Sequence, residues 1–236
     1  MTRLVSTDTK EPWRRRLTLP AFHIKEAARY ADVSPRTVSD WYKLRADGTR
    51  TLSEKADGIA LSYMQLIEVA AIAALRKAGV KLQLIKDYRD YVAKKLRAEF
   101  PFAQYKFKTD GNRLTMEYEQ FEGSKGKGKL IEPGRGGQLG WCEILDDKLK
   151  EFEYHKGLAA RWHVAGKDVP IVIDPQIAFG APTLNGVPTW VLRERYEAGE
   201  SLPDIADDFC IDEPQVKQAL SFEGIEFLKR NTAWSN

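Results

Sequence analysis

The stretch "SPRTVSDWYK", residues 34–43, gathers Arg36, Thr37, Ser39, Asp40 and Lys43 within little more than two helical turns. Carried on one helix, these are the side-chain types that hydrogen-bond to base edges and phosphate oxygens. Arg36 ranks first among them, because a guanidinium in the first turn of such a helix can span two acceptors of a guanine. No comparable constellation for catalysis exists. His23, His155 and His163 have no metal-ligand spacing with Cys142 or Cys210, and neither HExxH, CxxC nor GxSxG occurs. The acid pairs Asp146-Asp147 and Asp207-Asp208 are adjacent in sequence, which points their side chains apart. We therefore expect no enzyme, no metal and no cofactor.

The elements that would position Arg36 are legible around it. In "HIKEAARYADVSPRTVSDWYKLR", residues 23–45, Ile24, Ala27, Ala28 and Ala31 share one helical face and Val38, Trp41 and Leu44 a second. Ser34 is placed as an N-cap with Pro35 at the first helical position, where a missing N–H costs nothing. Ala28, Val33 and Val38 recur every five residues: a small residue where two helices touch, then two apolar anchors. That spacing predicts a helix-turn-helix, with Asp32 where a turn glycine is usual. The second helix then presents Arg36, Thr37, Ser39, Asp40 and Lys43 outward. "RADGTRTLSEKADG", residues 45–58, reads as a wing that carries Arg45 and Arg50 toward the flanking DNA backbone. Arg14, Arg15 and Arg16 of "WRRR" read equally as an arm on phosphate or as a solubilising disordered tail.

Downstream, Ser62 and Gln65 form a capping-box pattern ahead of "MQLIEVAAIAALRKAG", a helix that Gly79 closes. "VKLQLIKDYRDYVAKKL" predicts another, with Leu84, Ile85, Tyr88 and Val92 on one side. With "AARYADVSPRTVSDWYK" and "LSYMQLIEVAAIAALRKAGVKLQLI", the first 95 or so residues resemble the MerR-like winged helix-turn-helix family. The resemblance implies operator DNA as a partner. The wing departs from the family's usual arginine and tyrosine pattern.

From about residue 100 the texture changes. "YKFKTDGNRLTMEYE" alternates apolar residues around Asp110-Gly111, a hairpin signal, and "GWCEIL" and "AARWHVAG" suggest further strands. Between them the glycine-dense "GSKGKGKLIEPGRGGQLG" reads as a basic loop; it lacks the Lys-Ser/Thr ending and following helix of a phosphate-binding loop.

The five-residue spacing returns at Ala206, Ile211 and Val216. Ser201 with Asp204, and Asp212 with Gln215, sit where caps and their partners belong, so "SLPDIADDF" and "DEPQVKQALSFEGIEF" predict a second helix-turn-helix pair. Its second helix offers Glu213, Gln215, Lys217, Glu223 and Glu226, a set that phosphate would repel. This copy is expected to serve protein contact instead. The segment from Ile171 to about Phe227, with "IDP", "FG.P", "NGVP" and "AGES", resembles the small helix-turn-helix domain of unknown function found in many bacterial antitoxins. Joined to a MerR-like front, it is similar to the larger VapB-type antitoxins. That resemblance implies a cognate PIN-like ribonuclease toxin as partner and repression of the chain's own operon. Inhibiting a carboxylate-and-metal nuclease calls for occlusion or an inserted cation. Arg135, Lys229, Arg230 and Trp234 are candidates for that contact, the cations being otherwise solvated surface charges.

The expected architecture is α+β: a basic arm over 1–20, a MerR-like winged helix-turn-helix over 21–98, a β-rich module over 99–168 and a homeodomain-like helical domain over 169–236. Charge follows this order. Residues 1–58 hold 12 Lys+Arg against 8 Asp+Glu, residues 59–169 hold 20 against 15, and residues 170–236 hold 5 against 11, within a chain of net +3. A basic front and an acidic rear suit different partners. Two cysteines far apart argue against a disulfide framework and for a reducing, cytoplasmic setting, and no apolar run is long enough for a membrane span. A homodimer is expected, since one recognition helix reads too few base pairs. Two other readings stay open: a MerR-like one-component regulator whose β module senses a small ligand, and an adaptor that uses both helical modules for protein contact.

Overall fold

The computed structural model describes residues 12–43, 51–52, 60–104 and 146–227. The fold is α+β, and the chain divides into two units, 1–162 and 163–236.

The first unit is built around one buried helix. It opens with α1 (Pro12–Thr18), followed by β1 (Pro20–His23), α2 (Ile24–Ala31) and α3 (Pro35–Tyr42). After β2 (Ala60–Ser62) come α4 (Tyr63–Lys77) and α5 (Leu82–Leu96). α4 is apolar on nearly every face, and a helix of that composition belongs inside a core. It is buried from Tyr63 through Ala73, Glu68 included, and α1, α2 and β1 pack on it. The predicted capping box starts it: Ser62 Oγ accepts from Gln65 N at 3.3 Å, and Ser62 N donates to Gln65 Oε1 at 2.9 Å. Gly79, at φ 89°, supplies the left-handed residue that turns the chain into α5. α5 buries Ile85, Tyr88, Arg89 and Val92, one stripe at helical spacing.

β1 and β2 pair antiparallel, with Phe22 opposite Leu61 and His23 opposite Ala60. Residues 12–18 form a helix and not an extended arm, because Leu17 is fully enclosed and needs a fixed backbone to stay there. From the middle of the chain the first unit also holds the hairpin of β3 (Phe152–His155) and β4 (Leu158–His163), β4 being the strand expected in "AARWHVAG". Its two turn residues, Lys156 and Gly157, both have positive φ, 46° and 83°, as a type I′ hairpin turn requires. α1 docks on this turn: Trp13 packs edge-on to His155 at 5.0 Å between ring centres, and Arg14 donates to the Lys156 carbonyl at 3.2 Å. The expected hairpin at 105–119, the glycine-dense loop and the strand at 140–145 lie outside the described residues.

The second unit places β5 (Ile171–Ile173), β6 (Pro182–Leu184) and β7 (Val187–Pro188) beside three helices, α6 (Thr189–Glu197), α7 (Leu202–Phe209) and α8 (Glu213–Phe222). β5, β6 and β7 are antiparallel neighbours. Asn185-Gly186, at φ 51° and 85°, makes the tight turn between β6 and β7. Ile171, Leu184, Leu192, Ile205, Val216 and Leu220 are fully buried together and form the core of the unit.

Candidate nucleic-acid interface

α2 and α3 are joined by the three residues Asp32, Val33 and Ser34. The connection is tight because each position does local work. Asp32 adopts the left-handed conformation at φ 52° and ψ 55°, the job usually given to glycine, and its side chain pairs with Lys77 of α4 at 2.5 Å. That contact holds the Asp32 carboxyl below the usual range. Val33 N donates to the Ala28 carbonyl at 2.9 Å, closing α2. Ser34 Oγ then accepts from Thr37 N at 3.1 Å and opens α3. Ala28 and Val38 are completely buried where the two helices meet, while Val33, the middle member of the five-residue series, is half-buried.

Of the outward set, Arg36, Asp40 and Lys43 are exposed and follow one another at i, i+4 and i+7, which aligns them on one face. Arg36 is 89% exposed, with Nε 3.9 Å from Asp40. Lys43 donates to Asp40 Oδ1 at 2.5 Å. Asp40 thus sits between two cations, and hydrogen bonding to Lys43 lowers its carboxyl below the usual range, Arg36 adding to the effect. Ser39 is half-buried beside them. Thr37 departs from the expectation: its hydroxyl lies 2.8 Å from Ser34 Oγ and its N–H is spent on the same cap. It shapes the start of the helix more than it presents a free edge.

The arginines of α1 separate. Arg14 stacks on Trp13 at 5.2 Å and holds the β3–β4 turn, whereas Arg15 and Arg16 are exposed. Arg45 and Arg50, and the toxin-contact candidates Arg135, Lys229, Arg230 and Trp234, lie outside the described residues.

The second helical pair repeats the turn of the first. Cys210 takes the left-handed position at φ 52°, and Ile211 N donates to the Ala206 carbonyl at 2.9 Å. Ser201 Oγ accepts from Asp204 N at 3.3 Å as expected. Asp212 is different. It was expected to cap α8 through its side chain, but no such bond forms; Gln215 N reaches the Asp212 backbone carbonyl at 2.9 Å instead, giving a tighter first turn. Aligning the two motifs on their buried residues puts Pro214 where Arg36 stands and Gln218 where Asp40 stands. The one cation of that face, Lys217, is bonded to Glu213 at 2.6 Å. This face has no counterpart of the Arg36 guanidinium.

A buried ion pair sits behind α3. Glu68 of α4 is fully enclosed and accepts from Arg89 Nε at 2.6 Å and from Phe102 N at 2.8 Å. Arg89 also donates to the Glu99 carbonyl at 2.7 Å. Burial pushes the Glu68 carboxyl up, against the pull of Arg89. Tyr42, the last residue of α3, has a buried hydroxyl whose ionisation is suppressed by the same burial and by Glu68. The sequence carried one signal of this arrangement, a lone acid in the apolar run of α4. Nothing in it marked Arg89 apart from the other charges of α5. Among the described residues no group of three or more His, Cys, Asp or Glu side chains is arranged to hold a metal ion. None of their helices is long and apolar enough to cross a membrane.

Three comparisons place this geometry among known proteins. Residues 171–222, which contain the second helical pair, match the family described as "Protein of unknown function (DUF433)". Over 230 residues the chain is 24% identical to "Putative antitoxin VapB45" of Mycobacterium tuberculosis, covering 87% of this chain and 94% of that protein. The crystal structure of Rv2018 from Mycobacterium tuberculosis superimposes with a TM-score of 0.70 at 24% identity, covering 87% of this chain and 99% of the other, so the two are alike in fold.

Proposed function

We propose that the chain is the antitoxin of a type II toxin-antitoxin pair: it inhibits a cognate PIN-like ribonuclease and represses its own operon through α3. The observation that carries this reading is the likeness, over 87% of the chain, to a protein named as an antitoxin. The division of charge supports it, since residues 1–58 are net basic and residues 170–236 net acidic. So does the α3 face, where Arg36 and Lys43 flank Asp40 at one-turn intervals on a helix anchored by its partner. In this reading Arg36 reads a guanine, Ser39 and Lys43 contact neighbouring base or phosphate groups, and Arg15 and Arg16 hold the flanking backbone. Two copies bind a two-fold operator. Inhibition is exerted by the second unit together with the cationic candidates Arg135, Lys229 and Arg230, with Trp234 as an apolar anchor.

The test is co-expression of the full chain with the product of the neighbouring gene. A stoichiometric complex in which ribonuclease activity is suppressed is expected. A gel shift on the DNA upstream of the chain's own gene, weakened in Arg36→Ala, is expected from the same preparation. A folded chain that neither forms that complex nor binds that DNA at moderate salt refutes the proposal.

A further inference from the structure

The connection from β5 to β6 contains a run of disfavoured backbone. Ala178, Phe179 and Gly180 are consecutive left-handed residues, at φ 46°, 54° and 87°. Only glycine takes that conformation without cost, and a left-handed phenylalanine is disfavoured by contact between its Cβ and the following carbonyl. Such a conformation persists where the surroundings over-determine it. Here they do. Asp174, almost fully buried, accepts from Gln176 N on Oδ1 at 2.8 Å, and its carbonyl accepts from Ile177 N at 2.9 Å. Gly180 N then donates to the Ile177 carbonyl at 2.9 Å, and Ala181 N to the Ala178 carbonyl at 3.0 Å. The outcome of this scaffolding is a phenylalanine ring that is 88% exposed.

Two more large apolar side chains belong to the same end of the sheet. Ile177, in the same turn, is 37% exposed, and Trp190, in the first turn of α6, is 44% exposed. The strand register puts both segments at one end: Ile173 pairs with Pro182 and Thr183 with Pro188, so the 174–181 turn and the start of α6 leave the sheet on the same side. Thr189, next to Trp190, reaches the Pro182 carbonyl with its hydroxyl at 3.3 Å and ties the helix start to the exit of the turn. On the Trp190 side of α6 follow Arg193 at i+3, half-buried and paired with Glu197 and Glu223, and the exposed carboxylates Glu194 at i+4 and Glu197 at i+7.

We infer that the Ile177, Phe179 and Trp190 face is the docking surface of the second unit for a cationic protein surface, which under the antitoxin reading is the nuclease. This inference rests on that reading. Aromatic anchors with a charged rim are the composition of a binding hot spot. Charge selects the occupant. Residues 170–236 hold 11 Asp+Glu against 5 Lys+Arg, which repels nucleic acid and sets like charges together if a second copy docks by the same face. A nuclease that must attract RNA phosphates carries the opposite sign around its cleft. The candidates Arg135, Lys229, Arg230 and Trp234 are separate from this face in sequence, so the two sets are independently testable.

The experiment measures binding of the purified full chain to the product of the neighbouring gene, by titration calorimetry, with thermal melting of every variant. Phe179→Asn keeps a residue that tolerates the left-handed backbone and removes the ring. Trp190→Ala removes the second anchor, and a variant carrying Glu194→Gln and Glu197→Gln removes the acidic rim. Each anchor variant is expected to bind about 30-fold more weakly, with the melting temperature unchanged in Phe179→Asn and lowered in Trp190→Ala but still well above the temperature of the titration. The rim variant is expected to bind more weakly at low salt and to lose part of the salt dependence of its affinity. Wild-type affinity in both anchor variants overturns the docking surface while leaving the antitoxin reading intact. Absence of any complex with the wild-type chain overturns that reading and the inference with it. Sedimentation of the chain alone provides the other arm: a wild-type dimer that Phe179→Asn converts to monomer makes the occupant a second copy and overturns the cationic partner.

Discussion

Removing the Arg89 side chain tests the energetic reasoning most directly. Arg89→Ala leaves Glu68 in a site where it is fully enclosed, with Phe102 N as its one remaining partner of the two described. Breaking a buried pair by deleting one member costs about 3–5 kcal/mol, because the surviving charge keeps its desolvation penalty and loses its compensation. In a unit of this size each kcal/mol corresponds to roughly 2–4 °C, so the expected fall in melting temperature is on the order of 6–20 °C. The loss also depends on pH with a definite sign. Burial already raises the Glu68 carboxyl, and deleting the cation raises it further. Above the unfolded pKa the folded variant then holds more protons than the unfolded chain, so its stability falls as pH rises, by up to about 1.4 kcal/mol per pH unit until the folded pKa is passed. Glu68→Met combined with Arg89→Met should recover part of the loss, though Phe102 N and the Glu99 carbonyl lose partners, at about 1–3 kcal/mol for each that stays buried. The assay is calorimetric melting of the full chain and the two variants between pH 5 and 8. An Arg89→Ala protein that melts within about 2 °C of wild type at pH 7, or whose deficit shrinks as pH rises, refutes the reasoning.

Three other outcomes are expected. Arg36→Ala should weaken binding to the upstream operator by about 1–3 kcal/mol and relax discrimination at one base pair, measured by gel shift on single-base operator variants. Ser34→Ala removes the side-chain acceptor of Thr37 N and should destabilise the first unit by about 1 kcal/mol, read by urea unfolding. Cys210→Gly places glycine at a left-handed helix end now held at φ 52°, and should leave stability equal or raise it by up to about 1 kcal/mol, read as an upward shift in melting temperature.

The α2–α3 pair was readable because its determinants lie within fifteen residues of one another. Ser34 and Pro35 start a helix by local hydrogen bonding and a preset φ, and the Ala28, Val33, Val38 spacing follows from helix geometry alone. The same is true of the Ser62–Gln65 box and of the second pair at Ala206, Ile211 and Val216. The β1–β2 pairing was not readable, since His23 and Ala60 meet across the whole first helical pair and the segment after it. The basic run of α1 had the composition of an arm; only the pocket that encloses Leu17 makes it a helix docked on a hairpin. Asp212 shows the limit within a local motif: it has the right residue type for a cap, and the backbone carbonyl took the bond.

The sequence by itself determined where α3, α4 and α7 begin, which positions repeat between the two helical pairs, and that the charge changes sign along the chain. These are properties of neighbouring residues, set by hydrogen bonds and periodicities that close within a turn or two. Tertiary structure decided which charges are buried and which aromatic rings are not. Nothing in the sequence marks Arg89 apart from the other charges of α5 until two helices enclose it, and nothing marks Phe179 as exposed until a left-handed turn holds it outside. Burial is a property of what packs against a side chain, and that partner is distant in sequence.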